Sequence, residues 1–317
     1  GRPARYGVGM EWVGDGADAG RWLVERIDDP WRGSMHDVVP RGFPSYARVF
    51  HPTDADRPMA GQWPPLPYAR HLRAWDAFMT HGVHDVERRS VSWSEAAAMH
   101  GTTWHPLAQW GSLVRQTTDT WESSVADEFL SADGWRVRPP QQGQLDAAVW
   151  PHLARTLAAH SDTDEIFVAL WEGHGALVES TSGTGRVFLS SDGQAAAAGG
   201  AVLSREISAA PRLKLPNRGF VVFRGTIGEL SADDWPLDVP WRDRIAESYG
   251  FAPSALSPSI VWSSDQAWVT VSEVDLDSTV VGGPPALIDA VCAAEGIEAL
   301  PIDEGAHLDW DADKVNR

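Results

Sequence analysis

The chain has 317 residues, of which 43% are hydrophobic and 22% are charged, a composition typical of folded globular proteins rather than disordered ones. Its formal net charge of −18 argues against binding to nucleic acid phosphates or to anionic membrane surfaces, because a strong negative field repels both. Cys292 is the only cysteine, which excludes an intramolecular disulfide and a cysteine-rich zinc site.

The sequence indicates where the protein is located and how its tryptophans are distributed. No apolar run of about 18 residues predicts a membrane-spanning helix, and no signal peptide is visible, so we expect a soluble cytoplasmic protein. The 17 tryptophans are spread from Trp12 to Trp310, which indicates packing in the core rather than one aromatic platform.

Helices and strands alternate irregularly in the first part of the chain. The pattern predicts a helix over 16–28, a strand over 45–52, a long polar surface loop over 53–67, and helices over 92–101 and 104–116. The helix over 92–101 has the clearest signals. Ser92 is a good N-cap, Glu95 completes a capping box, and Gly101 is a typical terminator.

The second part of the chain contains stronger apolar runs. These runs predict a helix over 144–160, strands over 165–173 and 219–227, a helix over 241–250, a hairpin over 258–275, a helix over 284–296 and a last strand over 297–303. Hairpins mixed with helices predict an α+β fold with a mainly antiparallel mixed sheet and flanking helices. The "RPPQQGQ" segment suggests subdomains over 1–142 and 143–317, unless the chain forms one continuous domain.

The segment "SEVDLDSTVVGG" contains the pattern D-x-D-x-T after a strand, as haloacid dehalogenase-type phosphatases do. That fold needs a long α/β domain after the motif, and too few residues follow Asp277, with Lys314 as the only later lysine. A calcium-binding EF-hand loop starting at Asp275 also fails, because Val280 and Ala286 stand where glycine and glutamate are required.

Three acids therefore remain to be explained, namely Glu273, Asp275 and Asp277. If the strand continues, their side chains share one face, where they could bind a divalent cation, bind an arginine, or simply meet solvent. No cofactor is predicted from the sequence, and a divalent cation at these acids is the alternative.

A second candidate site is the strand end "WEGHG". It places Trp171, Glu172 and His174 before a glycine-rich turn, where side chains can contact a ligand or transfer a proton. His51, at the end of "YARVFHP", is a further candidate for ligand contact. The alternative for both histidines is a structural role in which each pairs with a nearby group.

Two pairs of histidines lie close together in the sequence, as metal ligands can. His81 lies near His84, and His100 lies near His105, but neither pair has the H-E-x-x-H spacing of a zinc hydrolase. A G-x-S-x-G nucleophile motif and a G-x-G-x-x-G dinucleotide motif are also missing from the sequence.

Three segments together carry a family resemblance: "YARVFHP" (46–52), "FVALWEGHG" (167–175) and the stretch around "SEVDLDSTVVGG" (261–291). They resemble a group of uncharacterised actinobacterial proteins that share these YARxFHP, WEGxG and ExDxDSTxVGG segments. The resemblance implies a bacterial protein and provides no catalytic assignment.

The sequence favours a non-catalytic bacterial protein of an immunity or regulatory type, which binds a small-molecule ligand or a partner protein. The alternative is a hydrolase or transferase that uses the carboxylate cluster, with or without a divalent metal. The sequence does not indicate an oligomeric state.

Overall fold

The computed structural model describes residues 9–80, 85–115, 128–179, 185–189, 195–216 and 218–316. Helices and antiparallel sheets occur together in these ranges, so the predicted α+β class is confirmed. Within the described residues no helix is both long enough and apolar enough to cross a membrane.

The strands of the described chain form three sheets. In chain order they are β1 (Glu11–Trp12), β2 (Ser45–Phe50), β3 (Thr53–Pro58), β4 (Val86–Val91), β5 (Phe129–Leu130), β6 (Arg136–Val137), β7 (Glu165–Trp171), β8 (Gly185–Leu189), β9 (Ala195–Gly199), β10 (Leu213–Leu215), β11 (Arg218–Thr226), β12 (Ile260–Ser263), β13 (Val269–Ser272), β14 (Ser278–Gly283) and β15 (Ala299–Ile302).

Most of the helices are short. They are α1 (Gly16–Ala19), α2 (Arg21–Arg26), α3 (Leu72–Thr80), α4 (Trp93–His100), α5 (Trp110–Leu113), α6 (Trp150–Ala159), α7 (Arg205–Ala209), α8 (Ile227–Leu230), α9 (Arg244–Ser248) and α10 (Pro285–Ala293). Single 3-10 turns lie at Met35–Asp37, Tyr68–Arg70 and Trp235–Leu237.

The large sheet organises the fold. Its strand order is β1-β11-β7-β12-β13-β14-β2-β15, with β10 also paired to β11, and each of these pairs is antiparallel. The predicted hairpin is present as β12 and β13, in which Ile260 lies opposite Val271. Strands β1 and β2 precede residue 143, so this sheet takes strands from both of the predicted subdomains.

Both faces of the large sheet are covered by apolar layers. Helices α6 and α10 cover the first face, through residues such as Trp150, Leu157 and Leu287. Helix α2 and the 3-10 turn at Met35–Asp37 cover the second face, where Trp22 packs. Burial on both sides explains why β7 is an almost continuous apolar run rather than an alternating one.

A smaller sheet, ordered β4-β3-β6-β5, packs beside the large one with α4 and α5. Its strand β3 corrects the predicted surface loop over 53–67. The polar run is tolerated in a central strand because Asp56, although buried, receives two hydrogen bonds from Arg136, at 2.9 and 2.7 Å.

The capping residues in the sequence predicted α4 correctly. The Ser92 side chain accepts a hydrogen bond from the Glu95 N–H at 3.1 Å, and Gly101 ends the helix with a left-handed φ of 62°. The helix predicted over 104–116 is reduced to the four residues of α5 in the described chain.

One buried arginine links the large sheet to the segment that leads into α5. Arg48 of β2 is fully buried, and its Nη2 donates to Asp277 Oδ1 at 3.0 Å while its Nε donates to Ser278 Oγ at 2.8 Å. Its Nη1 donates to the carbonyl oxygens of Pro106 and Ala108, on the segment that leads into α5. Burial lowers the pKa of Arg48 and raises the pKa of Asp277, which is the cost of removing both charges from water.

We predict that Arg48→Met lowers the free energy of unfolding by about 3–5 kcal/mol, because Asp277 would be left buried without its partner. Urea denaturation measures the change. Arg155→Met is the matched control, because Arg155 and Asp233 form an exposed ion pair. It should lower the free energy of unfolding by no more than about 1 kcal/mol. Equal losses in the two variants would contradict the structural role of Arg48.

Candidate functional site

The three candidate acids lie in the loop between β13 and β14. The strand ends at Ser272, and the chain then turns, with the Leu276 N–H donating to the Glu273 carbonyl oxygen at 2.9 Å. The expectation that Glu273, Asp275 and Asp277 share one face of a continuing strand is therefore wrong. The turn sends their side chains to two different arginines.

Arg218, the first residue of β11, holds two of these acids. Its Nη2 donates to Glu273 Oε1 and, at 2.8 Å, to Asp275 Oδ2. Glu273 is largely buried, and burial raises its pKa despite the Arg218 contact. The guanidinium carbon of Arg218 also lies 4.9 Å from the ring centroid of Trp171, at a distance typical of a cation–π contact.

His174 joins the same group of side chains. Its ring packs edge to face against Trp171, with centroids 5.2 Å apart, and its Nε2 lies 3.2 Å from Gln144 Nε2. Burial lowers the pKa of His174, and nearby Arg218 lowers it further, so the ring is neutral at pH 7. Trp171, His174, Glu273 and Asp275 thus meet around Arg218.

Glu172 and Asp277 are directed elsewhere. The carboxylate of Glu172 binds Arg212 and Lys214, each at 3.1 Å. Asp277 binds Arg48, as described above. These two candidates therefore do not join the group around Arg218.

A narrow cleft opens beside Arg218 on the second face of the large sheet. It encloses about 20 Å³, which is room for about one water molecule. Its charged lining residues are Asp37, Arg218 and Glu273. Most of the wall is apolar and includes Ile27, Val38, Phe220, Ile260, Val271 and Val274.

Gly143 fixes the loop that carries Glu273. Its N–H donates to the Leu276 carbonyl oxygen at 2.8 Å, and its φ is +68°. A Cβ at this position would lie only 2.6 Å from Val274 Cα, so the close approach requires glycine.

His51 lies on the opposite side of the sheet in a buried chain of hydrogen bonds. Its Nδ1 is 2.8 Å from the Gln141 carbonyl oxygen, and its Nε2 is 2.8 Å from Thr279 Oγ1. Thr279 Oγ1 lies 2.7 Å from Ser272 Oγ. This geometry sets Nδ1 as the donor, and burial lowers the pKa of His51 to about 4. A neutral, fully hydrogen-bonded histidine suits a structural role.

The histidine pairs were the remaining candidates for metal binding. His81 and His84 lie outside the described residues. His105 bonds Asp313 at 3.0 Å, whereas the His100 ring packs on Phe129. In the ranges that the structure describes, no three histidine, cysteine or acidic residues are grouped as metal ligands would be.

Sequence reasoning missed Arg218, Gln144 and Gly143. Arg218 begins a strand that had been predicted, and Phe220 lies opposite Trp171 in the sheet, which brings Arg218 beside the tryptophan. Only the pairing of β11 with β7 identifies Arg218 as a neighbour of Trp171, and the sequence does not show this pairing.

Comparison with known proteins gives no further assignment. No protein-family model, no curated protein sequence and no solved structure matches the chain.

We predict that His51 makes the protein less stable in acid. Its pKa is about 4 when folded but about 6.5 when unfolded, so the unfolded chain binds a proton that the folded chain rejects between these pH values. His51 should therefore lower the free energy of unfolding by about 3 kcal/mol as the pH falls from 7 to 4. Urea denaturation at several pH values measures this loss.

The variant His51→Gln isolates that contribution. Glutamine can offer a donor and an acceptor but does not titrate, so the loss of stability between pH 7 and 4 should shrink by a similar amount. His160→Gln, at an exposed histidine on the end of α6, should keep the wild-type pH dependence. If the free energy of unfolding of His51→Gln fell between pH 7 and 4 as steeply as that of the wild type, His51 would not be held neutral in the folded protein.

Proposed function

We propose that this protein is a binding protein whose cleft beside Arg218 takes an uncharged, largely apolar small molecule bearing a hydrogen-bond acceptor. The observation that carries the proposal is the Nε–H of Arg218. It is buried, and no acceptor for it is found among the described residues, although the same guanidinium binds two acids through Nη2. A buried donor without a partner is rare and unfavourable, and a ligand oxygen would satisfy it.

The cleft favours a ligand without charge. Arg218 carries one positive charge, whereas Glu273 and Asp275 bring two carboxylates to it, so an anion would meet net repulsion. Asp37 offers little to a cation, because its two oxygens already accept the N–H groups of Arg32 and Gly33. The apolar wall supplies the remaining binding energy by burying the body of the ligand.

The cleft must open to take a ligand. Its enclosed volume of about 20 Å³ has room for about one water molecule. We therefore propose that side chains at the rim shift when the ligand enters, which also uncovers the Nε–H of Arg218.

Binding is better supported than hydrolysis or group transfer. A carboxylate-based hydrolase needs acids that are free to attack or to hold a metal. Here Glu273 and Asp275 are held by Arg218, and Asp277 is held by Arg48. We place this binding function in the cytoplasm of a bacterium, with no role in nucleic acid recognition, in keeping with the strongly acidic composition.

We predict that prodan, an uncharged naphthalene ketone whose fluorescence shifts to the blue in apolar surroundings, binds this cleft. Arg218→Lys should weaken binding about tenfold or more, because lysine keeps the positive charge near both acids but lacks the Nε–H. Fluorescence titration measures the dissociation constant. Arg224→Lys, at an exposed arginine of the same strand, is the matched control and should bind as the wild type does.

A second variant tests the location. Val38→Trp narrows the mouth of the cleft and should abolish the blue shift, whereas Val24→Trp adds the same bulk at an exposed position of α2 and should not. The anionic dye anilinonaphthalene sulfonate should bind more weakly than prodan. Equal prodan binding by wild type, Arg218→Lys and Val38→Trp would overturn the proposal.

A further inference from the structure

A second cleft lies on the first face of the large sheet, on the other side of the sheet from Arg218. It encloses about 360 Å³, within the range of roughly 300–1,000 Å³ that is usual for ligand pockets. Three segments form most of its wall, at 141–147, 235–243 and 254–257. Leu145 of this wall belongs to the apolar layer of the first face. The cleft therefore has room for a small ligand without any rearrangement.

Hydrogen bonds between these three segments fix the shape of the cleft. The Nε1–H of Trp235 donates to the Ala147 carbonyl oxygen at 3.0 Å. The Nε1–H of Trp241 donates to the Leu256 carbonyl oxygen, also at 3.0 Å. Since the two bonds connect all three segments, the cleft is preformed in the fold, as small-molecule sites usually are.

The charged side chains in the wall of the cleft are both carboxylates, Asp146 and Asp243. No arginine, lysine or histidine lines it among the residues that the structure describes. Asp146 is exposed, and its Oδ1 accepts the Ala148 N–H at 2.7 Å, whereas its Oδ2 has no hydrogen-bond partner in the described ranges. Such a wall attracts cations and repels anions.

The nearest arginine in the sequence is bonded outside the cleft. Arg242 precedes Asp243, but its Nε and Nη2 donate to the two carboxylate oxygens of Glu247, at 2.5 and 2.8 Å. Glu247 is not part of the wall. Arg242 is therefore held away from Asp146 and does not supply the missing positive charge.

We propose that this cleft is a second ligand site, which takes a small organic amine in its protonated form. The ammonium group lies at Asp146 Oδ2. The apolar body of the amine lies against the half-buried side chains of Val202, Ala255 and Leu256, which line the same cleft.

The donors of an ammonium group suit this wall. A primary ammonium carries three N–H donors, and its hydrogen bond to a carboxylate is strengthened by charge. The hydroxyl oxygen of Ser254, which also lines the cleft and is exposed, is a further acceptor beside Asp146. The assignment is independent of the cleft beside Arg218, because the two clefts share no lining residue.

Two probes that differ in charge but hardly in shape test the proposal on the full chain. They are 4-fluorophenethylamine, which is protonated at pH 7, and 2-(4-fluorophenyl)ethanol, which is uncharged. Titration followed by ¹⁹F nuclear magnetic resonance measures both dissociation constants in the same sample. We expect the amine to bind about fivefold more tightly than the alcohol, because its ion pair with an exposed carboxylate is partly screened by water.

A change of charge at Asp146 tests the contact. Asp146→Asn keeps an oxygen that can accept the Ala148 N–H but removes the charge, so the amine should bind as weakly as the alcohol. Asp265→Asn is the matched control. Asp265 is also exposed and also accepts the N–H two residues ahead, from Ala267 at 3.1 Å, but it lies outside the cleft. Its variant should bind the amine as the wild type does.

A change of volume tests the location. Ala147→Phe fills the cleft but keeps the carbonyl oxygen that bonds Trp235, so both probes should bind more weakly while the melting temperature stays close to the wild-type value. Ala148→Phe is the matched control, because it adds the same bulk at an exposed position one residue further on, outside the wall. It should bind both probes as the wild type does.

The results that support the site differ from those that overturn it. A preference for the amine that disappears in Asp146→Asn and remains in Asp265→Asn supports it. Equal binding of the two probes by the wild type, an equal loss in both asparagine variants, or amine binding that Ala147→Phe leaves unchanged would overturn it. Arg218→Lys should not alter amine binding, so this site and the cleft beside Arg218 succeed or fail separately.

Discussion

The buried guanidinium of Arg48 is the constraint on which the arrangement depends. It sits in β2 and bonds Asp277 and Ser278 at the start of β14, together with two carbonyl oxygens on the segment leading to α5. A charge at this depth is costly unless its donors are bonded, and four oxygen partners accept four of the five N–H groups of Arg48. The same contacts hold the segment that leads into α5 against the large sheet.

The Arg48 contact also determines the chemistry of the neighbouring loop. Because Asp277 is committed to Arg48, the three acids cannot gather around one cation, and Glu273 with Asp275 meets Arg218 instead. Gly143 lies close to Val274, where any side chain would clash, and its N–H donates to the Leu276 carbonyl oxygen. Arg218 is thereby held beside Trp171, with Nη2 donating to both acids, and the described residues offer no acceptor for its Nε–H, which lies next to an apolar wall. In the function that we propose, such a group would select a ligand by its acceptor without attracting anions.

Local patterns were enough to predict the elements whose signals lie within a few residues. Strand β2, the β12–β13 hairpin and the capped helix α4 follow from apolar runs and from Ser92 with Gly101, and the α+β class follows from their mixture. Strand β3 was missed because its polar residues are stabilised by Arg136, which is distant in the sequence. The role of Arg218 was missed for the same reason, since it depends on the pairing of β11 with β7. The sequence revealed the acids, whereas only the fold shows which arginine each one binds.

Ligand binding beside Arg218 can be tested by observing the Arg218 Nε–H itself. Correlation spectra of ¹⁵N-labelled arginine Nε–H groups can be recorded during a titration with prodan, with the signal assigned by its loss in Arg218→Lys. We expect this signal to shift more than any other arginine signal, while that of Arg48, already bonded to Ser278, stays in place. If the Arg218 signal did not move while prodan became bound, the cleft beside Arg218 would not be the binding site.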